Sequence, residues 1–303
     1  MKLNTKNLLT LAELSPKEFV GLIDLSIKLK KELKKGNKPL LKNKTLAMIF
    51  QKPSTRTRVS FEAGMFQLGG HAINLSSNDT QLSRGESVED TAKTLSRYTD
   101  CIMARVYDHE LLEKLSEHAT VPVINGLSNS FHPCQILADF VTIKEKKGNI
   151  KNLKIAWIGD GNNVCNSMIY GCALAHSDIS IATPKEFEPN KNVVKGASKS
   201  IKVELTTDPI KAVTNADVVV TDTFTSIHNL DPKRTKKFLP KYQVNSDLMK
   251  KAKKNSIFMH CLPAKRGNEV TSSVIDGPQS VVWDEAENRL HSQKALLVSL
   301  IRA

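Results

Sequence analysis

Short apolar runs typical of β-strands alternate with helix-like segments along most of the 303-residue chain. The first series of predicted strands comprises Thr45–Phe50, Ala72–Leu75, Cys101–Arg105 and Val121–Asn125. A second series comprises Lys154–Ile158, Ile179–Ala182, Val203–Thr206, Asp217–Thr221, Ser256–His260 and Ser280–Val282. Helices between successive strands allow those strands to run parallel, so the alternation predicts parallel sheets covered by helices. The predicted fold class is therefore α/β.

The helices are predicted from apolar periodicity and from signals at their ends. Ser15 and Glu18 form a capping box with Pro16 in the first turn, which starts the first helix. The later predicted helices are Val59–Leu68, Ser87–Tyr98, His109–His118, Pro133–Lys147, Asn163–Ala175, Pro209–Thr214 and Ser246–Lys253. A long segment with helical periodicity, Glu285–Ile301, ends the chain.

Two series of strands predict two domains, which agrees with a length of 303 residues at about 150 residues per domain. The first predicted domain comprises residues 1–138, and the second comprises residues 139–285. Each is expected to be a parallel sheet flanked by helices. We expect the C-terminal helix, residues 286–303, to return to the N-terminal domain.

The composition argues against several classes of protein. The formal net charge is +13, from 44 Lys and Arg against 31 Asp and Glu, but the excess lysines are scattered and aromatic residues make up 5%. There is no basic stripe with interleaved aromatics, so nucleic acid is not a predicted partner. No apolar run approaches the ~18 residues of a membrane span, and the N-terminus has no signal-peptide pattern. We therefore expect a cytoplasmic protein without a membrane partner.

The five cysteines include no C-x-x-C pair, and their number is odd. This pattern argues against a zinc ribbon and against a disulfide framework. Neither a metal site nor a cofactor is predicted.

The segment Ser54–Arg58 carries three hydroxyl groups and two arginines between a predicted strand and a predicted helix. The first turn of a helix has N–H groups without an acceptor inside the helix, and such groups bind phosphate readily. Arg56 adds a guanidinium that can donate two hydrogen bonds to one phosphate. Arg58 lies two residues further on, so we expect it to pair with Glu62, one turn away. The segment predicts a phosphate site and hence an enzyme.

Other polar residues also follow the predicted strands of the first domain. Arg105 ends a strand, where a charge after an apolar run indicates a ligand site. His132 and Gln135 lie three residues apart, so a histidine donor and a glutamine amide can reach one carbamoyl-like group. A capped helix with a satisfied histidine is the alternative explanation of that pattern. Gln81 lies in a polar loop and gives no signal by itself.

The second domain has its own polar residues after strands. Cys261 can act as a nucleophile, a proton acceptor or a binding group, and a buried cysteine in a turn is the alternative. Asp222 can bind an ammonium group, Ser226 a carboxylate or amine, and Asn163 a carboxylate. The turn that begins at Gly159 lacks the third glycine of a dinucleotide fingerprint, which leaves a dinucleotide enzyme as a remote alternative.

Three motifs together resemble those of the aspartate/ornithine carbamoyltransferase family. They are S-T-R-T-R at Ser54–Arg58, H-P-x-Q at His132–Gln135 and H-C-L-P at His260–Pro263, in the order and spacing of the family. The resemblance extends to Glu287–Arg289 and so spans nearly the whole chain. H-C-L-P is similar to the ornithine branch, because the aspartate enzymes typically carry a proline where Cys261 stands.

The resemblance implies transfer of the carbamoyl group of carbamoyl phosphate to the side-chain amine of L-ornithine, which gives L-citrulline and phosphate. It implies that carbamoyl phosphate is held by Ser54, Thr55, Arg56, Thr57, Gln81, Arg105, His132, Gln135 and Arg289. It implies that ornithine is held by Asn163, Asp222, Ser226, Ile227, Cys261 and Leu262. Cys261, Arg105 and His132 would have catalytic roles. The resemblance further implies a homotrimer with active sites at subunit interfaces, where Gln81 reaches a neighbouring subunit. Arginine biosynthesis is the expected setting, and the sequence leaves both directions open, synthesis and citrulline breakdown.

One position departs from the pattern of the family. The ornithine enzymes normally carry Met-Gly after Ser226, whereas this chain has Ile227 and His228. A residue other than glycine makes a positive φ costly there, which leaves closure and the choice of amine open. The alternatives are a carbamoyltransferase for putrescine or a modified ornithine, and a non-catalytic basic binding protein on the same scaffold. Asp222 favours a free α-amine, and Asn163 favours a substrate with a carboxylate.

Overall fold

The computed structural model describes residues 2–76, 80–225 and 232–301. The chain divides into two compact units, Met1–Val141 with Glu287–Ala303 and Thr142–Ala286. Each unit contains one parallel sheet flanked by helices, and the C-terminal helix packs on helices of the N-terminal unit. The predicted fold class is therefore confirmed. In the part of the chain described here, no helix is both long enough and apolar enough to cross a membrane.

The first sheet presents the carboxyl ends of four parallel strands. The elements up to the division of the chain are α1 (Pro16–Leu33), β1 (Thr45–Phe50), α2 (Thr55–Gln67), β2 (His71–Ser76), a 3₁₀ helix (Gln81–Arg84), α3 (Val88–Tyr98), β3 (Cys101–Arg105), α4 (His109–His118), β4 (Val123–Leu127) and α5 (Pro133–Lys147). The strands lie in the order β2-β1-β3-β4, so the winding reverses between β1 and β3. Such a reversal is where parallel sheets bind ligands.

The second sheet has the same arrangement with five strands. Its elements are β5 (Lys154–Ile158), α6 (Asn163–Ala175), β6 (Asp178–Ala182), a 3₁₀ helix (Lys185–Phe187), α7 (Lys191–Ala197), β7 (Val203–Thr206), α8 (Pro209–Val213), β8 (Val218–Thr221), α9 (Pro232–Phe238), α10 (Ser246–Met249), β9 (Ile257–His260) and α11 (Ser272–Ile275). The last helix, α12 (Val282–Ile301), belongs mostly to the first unit. The order is β7-β6-β5-β8-β9, and the winding reverses between β5 and β8.

Each unit has a separate apolar core between its sheet and its helices. In the first unit, the strand residues Ile49 and Ile102 are buried against Leu112 and Leu115 of α4. In the second, Phe224 and Phe238 stack with their ring centroids 4.5 Å apart, in a cluster that includes buried Phe258 of β9. Burial of such side chains contributes roughly 1.5–3 kcal/mol each and fixes the strands whose ends carry the polar residues.

Most predicted elements are confirmed, several with the predicted bounds. These include the strands Thr45–Phe50, Cys101–Arg105, Lys154–Ile158 and Val203–Thr206. The capping box of α1 is also present, because Ser15 and Glu18 satisfy each other's backbone N–H groups. The helices α7, α9 and α11 were not predicted from the sequence; they have only 7, 7 and 4 residues, too few for a periodic pattern.

Three predicted elements need correction. Ser280–Val282 is not a strand, because it makes only an isolated bridge to Phe258 before α12 begins at Val282. The helix predicted from Val59 begins at Thr55, because Ser54 caps it. The helix predicted to end at Lys253 ends at Met249, and the N–H of Lys253 instead donates to the carbonyl of Ala216.

Candidate active site

The segment Ser54–Arg58 forms the start of α2, directly after the buried strand β1. Ser54 is the N-cap, and its Oγ accepts the N–H of Thr57 at 3.3 Å. The N–H groups of Thr55 and Arg56 lie in the same turn, where the helix supplies no acceptor, and they can donate to an anion at this end. The serine thus has a structural role as well as its predicted place in a phosphate site.

The two arginines of this segment have different surroundings. The Nε of Arg58 donates to Glu62 Oε1 at 2.9 Å on the exposed face of α2, which confirms the predicted pair. Arg56 is half-buried, and its charge acts on His132, which follows β4. Arg56 therefore belongs to the cluster at the carboxyl edge of the sheet, and Arg58 belongs to the helix surface.

Arg105 is buried at the carboxyl end of β3. Its position pairs with Phe50, the last residue of β1, and its carbonyl accepts the N–H of Gln51 at 2.9 Å. The end of β3 is therefore fixed beside the end of β1, four residues before the cap of α2. This register brings the Arg105 side chain to the same sheet edge as Arg56.

His132 is buried among three cations. Burial lowers the pKa of its imidazole well below the usual value, and the guanidinium groups of Arg289, Arg105 and Arg56 lower that pKa further. The ring is consequently neutral at physiological pH, with one N–H that can donate to a carbonyl oxygen. The structure brings His132, Arg56, Arg105 and Arg289 together, as a site for an anion with an adjacent carbonyl group requires.

Arg289 of α12 joins the starts of α2 and α5. Its Nη1 donates to Gln135 Oε1 at 2.8 Å, and its Nη2 donates to Thr57 Oγ1 at 3.3 Å. Gln135 Nε2 in turn donates to Asp139 Oδ1 at 2.8 Å. The amide of Gln135, predicted to reach a carbamoyl-like group, thus accepts from Arg289 through its oxygen and donates to Asp139 through its nitrogen.

Lys52 was missed in the sequence analysis. It is only 3% exposed, although it lies between β1 and the cap of α2, and its Nζ is 3.6 Å from the centroid of the Tyr107 ring. Burial, with a smaller contribution from the charge of Arg105, lowers the pKa of Lys52 to about 8, and Asp108 opposes the shift. A lysine between a buried strand and a phosphate motif was the sequence signal for this residue.

The second unit has its own polar cluster at the carboxyl ends of β5, β8 and β9. Asn162 caps α6 with its Oδ1, and its Nδ2 donates to Asp222 Oδ2 at 2.7 Å. The other oxygen of Asp222 accepts from Cys261 Sγ at 3.2 Å and from the N–H of Thr223 at 2.7 Å. Asp222 and Cys261 are thus brought together as predicted, and Asn162 is a further member that the sequence analysis did not select.

The neighbouring residues support this pair. Ligand-type atoms of Asp222, His260 and Cys261 lie within 4.8 Å of one another. Both ring nitrogens of His260 have partners in the fold, since Nδ1 accepts the N–H of Leu262 and Nε2 lies 3.1 Å from Glu269 Oε1. Leu262 has a φ of 55°, which lies in the left-handed region. The histidine therefore holds the turn, and Asp222 and Cys261 remain as the groups that can handle a proton.

Asn163 is the first residue of α6 and is buried. The turn before it is closely packed, because a Cβ on Gly161 would lie 2.3 Å from the backbone nitrogen of Pro189 and 2.5 Å from the carbonyl oxygen of Phe187. A glycine is therefore needed here for close approach of two backbones rather than for a nucleotide. The turn supports the start of α6, where Asn163 was predicted to hold a carboxylate.

The remaining predicted residues are Gln81, Ser226 and Ile227. Gln81 lies exposed in the 3₁₀ helix that follows β2, the edge strand of the first sheet. Ser226 and Ile227 lie outside the described residues, as does His228. Arg234 of α9 contacts the turn before α6, since its Nη2 lies 2.6 Å from Asp160 Oδ2. Burial raises the pKa of Asp160 to about 6, and the contact with Arg234 opposes that shift.

Two family models match the chain, one for each unit. The aspartate/ornithine carbamoyltransferase carbamoyl-P binding domain matches residues 6–145. The aspartate/ornithine carbamoyltransferase Asp/Orn binding domain matches residues 151–300. The chain belongs to the aspartate/ornithine carbamoyltransferase family. The family expected from the three motifs is thereby confirmed.

Relatives within this family are similar over their full length. The chain is 64% identical over 300 residues to an ornithine carbamoyltransferase of Cenarchaeum symbiosum, and the match covers 99% of both chains. It is 52% identical to the ornithine carbamoyltransferase of Pyrococcus horikoshii, over 99% of this chain and 97% of the relative. The solved ornithine carbamoyltransferase of Pyrococcus furiosus matches with a TM-score of 0.96 and 51% identity, over 100% of this chain and 99% of that structure.

Lys52 gives the anion site a pH dependence that the arginines do not. The lysine is charged below a pKa of about 8 and neutral above it, so we expect phosphate to bind more weakly as the pH rises from 7 to 9. In Lys52→Arg the side chain stays charged over this range. The ionisation of phosphate affects both proteins equally, so it cancels in the ratio of the wild-type dissociation constant to that of Lys52→Arg at the same pH. We expect that ratio to rise about three- to tenfold between pH 7 and 9. Calorimetric titration with phosphate measures it.

Lys52→Met serves as the uncharged reference. It is expected to bind phosphate weakly at both pH values, and its curve should meet that of the wild type only above pH 8. Parallel curves for the wild type and Lys52→Arg would mean that Lys52 does not contribute charge to the site.

Proposed function

We propose that this chain transfers the carbamoyl group of carbamoyl phosphate to the side-chain amine of L-ornithine, giving L-citrulline and phosphate. One observation carries the proposal: three arginines, Arg56, Arg105 and Arg289, surround the buried, neutral imidazole of His132. This cluster lies beside the start of α2. Full-length similarity to enzymes named ornithine carbamoyltransferase supports the same reaction.

Carbamoyl phosphate has a dianionic phosphate and a neutral carbamoyl group, and the first cluster suits both. Thr55 and Arg56 supply N–H groups and a guanidinium to the phosphate, together with Arg105. His132 donates its N–H to the carbamoyl oxygen, which becomes negative as the tetrahedral centre forms. A neutral imidazole suits that role, because three cations beside it already supply the positive charge.

The amine substrate needs a site that removes one proton. The side-chain amine of ornithine is protonated at neutral pH and attacks only after it loses that proton. Asp222 accepts from Cys261 Sγ at 3.2 Å; the pair orients the amino groups, and the carboxylate of Asp222 provides the acceptor for the proton. The attack forms the C–N bond and the tetrahedral centre. As that centre collapses, the C–O bond to phosphate breaks, its electron pair leaves with phosphate, and phosphate accepts the second proton of the nitrogen. Asn163 and Leu262 are assigned to the rest of the amino acid.

Arg56 and Arg58 offer a matched pair of variants that tests this assignment. Both lie in the first turns of α2, but Arg58 is exposed and paired with Glu62. We expect Arg56→Ala to lower kcat for citrulline formation by roughly 10²–10³-fold, the usual effect of removing one group that stabilises developing charge. Arg58→Ala should stay within about threefold of the wild type, because an exposed ion pair contributes little.

The assay compares L-ornithine with putrescine and N-acetylornithine at saturating carbamoyl phosphate. Turnover of ornithine that Arg56→Ala abolishes supports the proposal. Turnover of only another amine would move the specificity to the segment that contains Ile227 and His228. No turnover of any amine by the folded protein would contradict the proposed activity.

We further propose that the active unit is a homotrimer that works in arginine biosynthesis in the cytoplasm. Val59 and Phe66 are exposed seven residues apart on one face of α2, Phe66 at 75%. Exposed apolar side chains on one helix face favour a protein partner, and symmetric assembly of identical chains is the common solution. A relative of 52% identity from Pyrococcus furiosus is named an anabolic enzyme, which supports the biosynthetic direction.

Gln81 gives this assembly a direct test. If Gln81 completes the site of a neighbouring chain, co-expression of Arg56→Ala with Gln81→Ala creates some sites with both residues intact. We expect about a quarter of the wild-type activity to return in randomly mixed trimers. Steady-state citrulline formation by the purified mixture measures this recovery.

The control is co-expression of Arg56→Ala with Arg105→Met. These residues come from the same unit of one chain, so each mixed site still lacks one of them and activity should stay low. Equal activity in the two mixtures would contradict a role for Gln81 across an interface, and a monomer by sedimentation would contradict the trimer itself.

A further inference from the structure

The C-terminal helix α12 has an unusual row of buried polar side chains. They are Asn288, Arg289, His291, Ser292, Gln293 and Lys294. Burying a polar group costs free energy unless it is hydrogen-bonded, so such a row persists where the contacts stabilise a required geometry. Three contacts of this row, from Arg289, Gln293 and Lys294, lead to α2, the helix that begins with the phosphate motif.

Gln293 lies at the centre of these contacts and is 1% exposed. Its Oε1 accepts from Arg289 Nε at 3.0 Å, one helical turn earlier on α12. Its Nε2 donates to Ser60 Oγ of α2 at 2.8 Å. One amide therefore holds the arginine of α12 and the second turn of α2 at the same time.

Ser60 passes this contact on to the phosphate motif. Its Oγ donates to the carbonyl oxygen of Arg56 at 2.6 Å and lies 3.3 Å from the carbonyl oxygen of Thr57. Thr57 also accepts from Arg289 Nη2 at 3.3 Å. Arg289, Gln293, Ser60 and the first turn of α2 thus form a closed ring of hydrogen bonds in the interior of the first unit.

We propose that Gln293 is a positioning residue for carbamoyl phosphate, which fixes the guanidinium of Arg289 and the first turn of α2 in one geometry. The inference rests on the proposed assignment of Arg289 and Arg56 to this substrate. Gln293 touches neither reacting atoms nor the cap of the helix, and it acts only through Arg289 and Ser60.

Three hydrogen bonds orient the guanidinium of Arg289. Arg289 has a long side chain with several free torsions, and its planar group is oriented by contacts at Nε, Nη1 and Nη2 together. Without the acceptor at Nε, the plane can turn about the remaining contacts. A displacement of about 1 Å in such a group costs on the order of 10²-fold in activity in demanding cases.

A matched control lies at the other end of the same two helices. Gln67, the last residue of α2, accepts from Lys294 Nζ of α12 at 2.8 Å. Gln67→Met and Gln293→Met each remove one glutamine and its contact between α2 and α12. Only Gln293→Met removes a contact of Arg289, so a general loosening of the two helices affects both variants and a loss of positioning affects only one.

The experiment measures KM for carbamoyl phosphate, KM for ornithine, kcat, the inhibition constant of inorganic phosphate and the melting temperature. For Gln293→Met we expect KM for carbamoyl phosphate and the phosphate inhibition constant to rise about tenfold. KM for ornithine is expected to stay within twofold. Gln67→Met is expected to lower the melting temperature without raising KM for carbamoyl phosphate. Gln293→Asn, which is one methylene too short to reach both partners, gives a second variant if Gln293→Met does not fold.

Two further variants separate the possible failures. Arg289→Met tests the assignment on which the inference rests, and an unchanged KM for carbamoyl phosphate there would contradict that assignment. A raised KM in Arg289→Met with an unchanged KM in folded Gln293→Met would overturn the role of Gln293 alone. Ser60→Ala combined with Gln293→Met should be no worse than Gln293→Met, because residues in one network are not additive. Equal increases of KM in Gln67→Met and Gln293→Met would also overturn the inference.

Discussion

The rest of the first site depends on the hydrogen bonds of one buried guanidinium, that of Arg289. A charged group is tolerated in a protein interior only where hydrogen bonds satisfy it, and here they come from Gln135, Thr57 and Gln293. These partners lie on α5, α2 and α12 itself. One cation therefore requires three helices to meet at fixed distances, and their meeting point is where the phosphate motif begins.

The parallel sheets supply the second constraint. In the first unit, the register of β1 with β3 pairs Phe50 with Arg105, so a residue of one strand and the motif after the other share an edge. In the second unit, β8 pairs with β9 and Thr221 lies opposite His260, so Asp222 and Cys261 directly follow the ends of two adjacent strands. Strand register therefore sets the positions of Arg105, Asp222 and Cys261, whereas His132 and Arg289 join the first cluster from the start of α5 and from α12.

Burial and the positive charge of the arginines in the first cluster together set the protonation state of the nearby basic groups. His132 titrates below its usual range because it is buried beside three arginines, and Lys52 does so because it is buried near Arg105. The imidazole consequently acts as a neutral donor, whereas the lysine keeps its charge only up to a pKa of about 8. Within one cluster, burial thus removes the charge from one basic group and leaves it on the other.

The sequence was sufficient to predict the fold class and most strands. Buried parallel strands are short apolar runs, and polar residues mark where each run ends. It was also sufficient for the pair of Arg58 and Glu62, which depends on helical spacing alone. It was not sufficient for Gln293, because its partner Ser60 lies far away in the sequence. It was not sufficient for Asn162 either, because an asparagine before a helix is common as a simple N-cap. Ser280–Val282 was mistaken for a strand because apolar composition does not reveal whether a neighbouring strand is available for pairing.

A crystal structure with a phosphonate analogue of carbamoyl phosphate tests the central claim most directly. The account predicts the phosphonate oxygens at about 2.7–3.2 Å from the N–H groups of Thr55 and Arg56 and from the guanidinium of Arg105. It also predicts that Arg289 keeps its contact with Gln293. A phosphonate bound elsewhere, for example at the start of α6 after Gly159, with the start of α2 empty, would contradict the account.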